Sequence, residues 1–245
     1  MNKLISPAVV AVGLIAAAQM SQAAEWSYEG EHGPEHWGSI SEEYATCGSG
    51  QMQSPFDISS GIHAALAPIN FQYGEVPITV TNNGHSLQVN VPDGNSMEVD
   101  GKTYKLLQFH FHTPSEHAID GKRFPMVMHM VHQADDGSYA VVGVMMEEGE
   151  ANAEIAALWD VAPATPGEAS ADGTVDVPSL LPEDGHYMRF MGSLTTPPCT
   201  EGINWHMMST PITVSAEQIA QFAAIFPMDA RPLQPENHRL VVLGR

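Results

Sequence analysis

From Ile69 to His112 apolar and polar residues alternate in short stretches, as in "FQYGEVPITVTNNGHSLQVNVPDGNSMEVDGKTYKLLQFHFH". A period of two sends successive side chains to opposite faces of a strand, so the pattern predicts β structure. Asn83-Gly84, Asp93-Gly94 and Asp100-Gly101 interrupt it at hairpin-like intervals, because such pairs tolerate the positive φ of a tight reversal. Downstream, "FPMVMHMVHQADDGSYAVVGVMMEEG" places two longer apolar arms around Asp136-Gly137, a further hairpin signal long enough to lie centrally in a sheet. Helical periodicity is confined to two stretches. "SAEQIAQFAAIF" starts with Ser215 and Gln218 in capping-box positions, gathers Ile219, Phe222, Ala223 and Phe226 on one face, and stops at Pro227. "ANAEIAALWDVA" predicts a second short helix packing Ile155, Leu158 and Trp159. The segments "APATPGEASADG" and "ARPLQPENHR" read as irregular and are too short to link domains.

A mostly β fold in one domain follows, since 245 residues suffice for a single substantial core. The first residues, "MNKLISPAVVAVGLIAAAQMSQA", carry an early lysine, an apolar run and small residues at Ser21 and Ala23. That order reads as a signal peptide over 1–23, removed to leave a domain over 24–245. The run is short against the ~20 residues of a span, and no second span follows, which predicts a periplasmic or secreted protein with no membrane span after cleavage. Nine basic against 29 acidic residues give a formal charge of −20, or −21 once Lys3 leaves with the leader. Nucleic acid and anionic membrane surfaces are poor partners on that charge, so no nucleic acid is expected. In an exported protein the two cysteines, Cys47 and Cys199, read as one structural disulfide, neither belonging to a CxxC.

The candidate chemistry lies in "LLQFHFHTPSEH". Alternation puts Gln108, His110 and His112 on one strand face and Phe109 and Phe111 on the other. His129, sharing a face with Val127 and Val131, comes from the next hairpin and could lie opposite the pair. Three imidazoles without a fourth protein ligand describe an open catalytic zinc (Zn2+) site with room for water. Met126, Met128 and Met130 fall on the face opposite His129; a copper or zinc binding protein using such thioethers is the competing reading, and core packing by methionine the simpler one.

These residues resemble the α-class carbonic anhydrases of the exported bacterial kind. The resemblance spans nearly the whole mature chain, through "EWSYEG", "GPEHWG", "QSPFDI", "TNNGHSLQV", "LLQFHFHTPSEH", "HMVHQ", "GSLTTPPCTEGINW" and "RPLQPENHR". It implies a large twisted, mainly antiparallel central sheet with a few short peripheral helices. It implies zinc on His110, His112 and His129, and reversible hydration of carbon dioxide to bicarbonate by zinc-bound hydroxide. Thr195 would accept a hydrogen bond from the hydroxide and donate its own to Glu116. Gln108 would support His110, with His117 following the threonine-orienting glutamate. Val131, Val141, Leu194 and Trp205 match the carbon dioxide wall, His85 the proton shuttle, and Tyr28, Asn83 and Thr196 the residues ordering its water. Inhibitory anions and sulfonamides would bind at the same centre, and the family is compatible with a homodimer or, for a relative that has lost activity, a binding module. The resemblance also implies a cis peptide at Pro198. One position departs from the pattern: Val127 stands where the family usually has a glutamate that accepts the N–H of the third zinc histidine. Water, a backbone carbonyl or another side chain would then have to orient His129.

Overall fold

The computed structural model describes residues 25–244. The expected signal peptide lies outside the described residues. Eleven strands carry the argument: β1 (Ile62–Ala64), β2 (Glu75–Asn82), β3 (Leu87–Asn90), β4 (Ser96–Val99), β5 (Lys102–His112), β6 (Met126–Gln133), β7 (Tyr139–Glu148), β8 (Gly167–Asp176), β9 (Tyr187–Ser193), β10 (Glu201–Met208) and β11 (Val241–Gly244). They form one 13-stranded sheet in the order β8-β2-β3-β5-β6-β7-β10-β9-β11-β1, with β4 beside β5 and two short strands attached at Asn70–Gln72 and Ile212–Val214. Most pairings are antiparallel; β7 with β10 and β11 with β1 are parallel.

The turns at Asn83-Gly84, Asp100-Gly101 and Asp136-Gly137 join neighbouring antiparallel strands, with glycine φ of 87°, 73° and 84°. Asp93-Gly94 does otherwise. β3 and β4 do not pair with each other; both pair with β5, one after the other, so this turn interrupts one long edge instead of reversing it. A second expectation fails at "APATPGEASADG", whose latter part belongs to β8, paired antiparallel to β2. As an edge strand with nearly all residues exposed, β8 has no apolar face to reveal it.

Two short helices cover one face. Helix α1 (Ala153–Trp159) is capped by Asn152, whose Oδ1 accepts from Glu154 N and Ile155 N. Helix α2 (Ala216–Ile225) has the expected Ser215–Gln218 capping box. Gln218 also ties the helices together, donating from Nε2 to Asn152 O at 2.7 Å.

The central sheet separates two cores. Phe109, Phe111, Met126, Met128 and Met130 join Ile155, Leu158, Trp159 and Phe222 beneath the helices. The three methionines are fully buried there, packed as apolar filler on the side away from the histidine cluster. Val127, Val131, Val141 and Trp205 belong to the other core, with Phe56 and Phe190. A third cluster gathers Trp37 and Tyr44 around the disulfide Cys47–Cys199, which spans 152 residues.

Candidate metal centre

The register of β5 and β6 assembles the site. Between Leu106 and Gln108 the pairing shifts by one residue, leaving Leu107 extra in β5. The bulge changes parity: Tyr104 and Leu106 point into the helix-side core before it, Phe109 and Phe111 after it. Gln108, His110 and His112 are thereby turned to the opposite face, and His110 falls directly across from His129.

Ligand atoms of His110, His112 and His129 all lie within 4.8 Å of one another. Two rings are oriented from behind. His110 Nδ1 pairs with Gln108 Oε1 at 2.8 Å, and His112 Nδ1 donates to the Asp229 carbonyl at 2.6 Å. Each Nδ1–H bond fixes the tautomer that leaves a lone pair on Nε2. His112 Nε2 is buried without a partner, as a ligand atom awaiting an ion would be. His129 Nδ1 faces Glu116 Oε2 at 3.7 Å, on the side where His112 Nε2 approaches the same oxygen at 3.5 Å. Burial, reinforced by the neighbouring rings, holds His110 and His129 well below the ordinary imidazole range. Neutral imidazoles with free lone pairs are the donor set zinc takes, so the residues fit that ion.

Glu116 is fully buried. Its Oε1 accepts from Arg231 N at 2.9 Å, while Oε2 has no hydrogen-bond partner among the described residues. The expected bond from Thr195 to Glu116 is therefore not formed here. Thr195 itself is buried beside the histidines, in a loop closed by Leu194 N to Thr200 O and Cys199 N to Thr196 O, with a cis peptide between Pro197 and Pro198. His117 is buried with neither ring nitrogen paired, and burial, aided by Arg239 and Arg123, pushes it down to about 3. His129 Nε2 is likewise buried without a partner. The acceptor that Val127 does not supply is not provided by another described side chain or carbonyl.

His110 and His129 open onto a cavity of about 310 Å³. Val131, Val141, Leu194 and Trp205 line it together with Thr195 and Thr196, which brings the expected apolar wall beside the ligands. Trp205 is held by its Nε1–H donating to Ser193 O at 3.0 Å. Leu107 and Tyr139 also line the cavity and were not anticipated; Leu107 reaches it only through the bulge. Asp229 and Arg231 were missed too. Their backbone O and N reach the site from a segment more than a hundred residues away, which no local spacing signals, and the Asp229 carboxylate also stands 3.7 Å from His112 Nδ1. Asp229 is held up at about 7 by burial, partly opposed by His112.

His85 lies outside this cavity lining, on the β2–β3 turn. Asn83 Oδ1 accepts from His85 N and Ser86 N, so that side chain shapes the turn. The His85 ring stacks on Trp26 with centroids 3.7 Å apart and planes 9° from parallel. Burial lowers its pKa, against an opposing pull from Glu25. Tyr28 has a buried, unpaired hydroxyl raised well above 10 by burial and by the charges of Glu116 and Asp229.

A sequence model for eukaryotic-type carbonic anhydrase matches residues 32–244. The carbonic anhydrase of Pectobacterium carotovorum is 42% identical over 228 residues, which cover 92% of this chain and 93% of that one. Among solved structures, the α-carbonic anhydrase of Thermovibrio ammonificans in complex with the inhibitor sulfanilamide aligns with a TM-score of 0.87 at 41% identity, covering 90% of this chain and 100% of that one. The Photobacterium profundum α-carbonic anhydrase aligns with a TM-score of 0.85 at 45% identity, covering 89% and 100%.

Proposed function

We propose, for a chain that belongs to the eukaryotic-type (α-class) carbonic anhydrase family, that His110, His112 and His129 hold zinc and that the protein reversibly hydrates carbon dioxide to bicarbonate and a proton. The observation that carries this reading is the convergence of three imidazoles, two of which line a cavity that is apolar along one side. Zinc held there would act as a Lewis acid, which in carbonic anhydrases brings the pKa of water to about 7.

The chain's own groups do the rest. Gln108 and the Asp229 carbonyl keep His110 and His112 in the tautomers that present Nε2. Thr195, rotated to donate to the free Glu116 Oε2, would have its oxygen lone pairs available to accept a proton-bearing partner, and so would fix the direction from which a substrate is attacked. Val131, Val141, Leu194 and Trp205 offer a surface suited to neutral carbon dioxide and poor for bicarbonate, favouring release of the charged product. The proton would leave by water ordered near Tyr28, Asn83 and Thr196 to His85. Sulfonamides and small anions would compete at this centre; the Thermovibrio enzyme is solved in complex with the inhibitor sulfanilamide. Cleavage after Ala23 and export to an oxidising space would account for the disulfide.

The test is carbon dioxide hydration by protein beginning at Ala24, as isolated, after chelation, and after return of zinc or copper. Activity lost on chelation and restored by zinc alone is expected; no activity in any metal state would sink the reading. In the same assay His85→Ala should slow turnover in weak buffer and leave it unchanged in strong buffer. Undiminished turnover in weak buffer would remove His85 from the proton route.

A further inference from the structure

A second cavity, of about 360 Å³, is separate from the histidine cavity, shares a wall with it and has Tyr28 in its own lining. That wall is the segment Asp229–Arg231. Asp229 O accepts from His112 and Arg231 N donates to Glu116, while Ala230 faces the second cavity together with Met228 and Pro232. The cavity also contains Arg123. Its guanidinium makes one hydrogen bond, from NH2 to Arg231 O at 3.2 Å, and among the described residues no carboxylate lies within ion-pairing distance. In a chain with 29 acidic residues and nine basic ones, a partly buried cation with no carboxylate in direct contact, on which only Glu116 acts through space, is unexpected on composition. Charged groups held away from water are ordinarily paired.

From this geometry we propose that the cavity is a binding site for a small organic monocarboxylate, its anion on Arg123 and its apolar body against Met228, Ala230 and Pro232. Size and chemistry agree, since small-molecule sites of ~300–1,000 Å³ combine apolar walls with a few fixed polar groups. Glu29 and Glu35, both exposed, line the same cavity and set its charge limit. Two carboxylates in the lining repel every added negative charge, so a polyanion such as phosphate is disfavoured more strongly than a single carboxylate seated on Arg123.

The experiment is a methyl-resonance NMR titration of the zinc-loaded mature protein with benzoate and, separately, with inorganic phosphate. Benzoate should move the Met228 methyl saturably and phosphate should not. Arg123→Gln should weaken benzoate binding by ~10-fold or more, the usual weight of a charge-assisted hydrogen bond. Ala230→Leu, which projects into the cavity and leaves Arg123 in place, should abolish the shift even if the first variant fails to fold. Absence of a saturable Met228 shift, equal response to phosphate, or benzoate binding that survives Ala230→Leu would overturn the proposal. So would shifts confined to Val131, Val141 and Leu194, which would place the carboxylate in the metal cavity instead.

Discussion

Val127 is where one side chain changes what its neighbours must do. It is fully buried on the face it shares with His129, and both His129 Nε2 and the His117 ring lack partners among the described residues. A buried unpaired donor costs about 1–3 kcal/mol, and a ligand histidine without an acceptor behind it is also a weaker base toward metal. His129 is positioned instead by packing, edge-on to Trp205 with ring centroids 4.9 Å apart. Val127→Glu should supply the acceptor and tighten zinc by ~10–100-fold, the size of effect such partners have elsewhere. Competition with a chelator of known affinity measures it directly. Unchanged affinity and turnover would mean that packing already holds the ring as well as a carboxylate would.

At the scale of elements, the candidate metal centre depends on a strand whose parity is reset once. Alternation made Gln108, His110 and His112 legible as one face, because that segment lies wholly beyond the bulge. It could not reveal Leu107, since a bulge is a register event between two strands and not a property of either sequence. β8 was hidden for a related reason: an edge strand open to solvent needs no apolar residues. Asp229 and Arg231 bond to His112 and Glu116 through backbone atoms, which leave no side-chain signature, and they lie more than a hundred residues from both. The resemblance to known enzymes supplied what periodicity could not, including the pairing of distant ligands. The Thr195 loop presents a further dependence. Cys199 ties it to Cys47, Cys199 O accepts from Gln53, and Cys47 O accepts from Arg231. Closing so long a loop is credited with about 4–5 kcal/mol as an upper figure. Reduction should therefore impair carbon dioxide hydration before it unfolds the sheet, with activity falling while far-ultraviolet circular dichroism stays constant. Simultaneous loss of both signals would show that the bridge supports the whole fold and not the loop.

For the whole molecule, the decisive quantity is how acid acts on a chain of charge −20. Lowering the pH relieves repulsion among carboxylates, which by itself favours the compact state. Two buried histidines outside the metal centre act against that. His132, hydrogen-bonded to the Tyr73 hydroxyl at 2.6 Å, is pushed down to about 3, chiefly by burial. His206 is pushed down to about 4 by burial, with Arg189 adding to the effect. Both stay neutral in the fold at pH values where the unfolded chain, with ordinary imidazoles near 6.5, has bound a proton. The unfolded state then holds more protons, so stability rises with pH: their contribution is complete above about 6.5 and is lost as pH falls toward about 4 for His206 and about 3 for His132. Each histidine adds a slope of about 1.4 kcal/mol per pH unit within that window. Relief of charge repulsion is common to wild type and variant, so a comparison isolates the histidine term. Urea unfolding of wild type and His206→Leu from neutral pH to about 4.5 should show the variant losing stability less steeply, by about that slope. Parallel loss in the two proteins would mean that His206 is already protonated in the fold, and that acid sensitivity arises elsewhere.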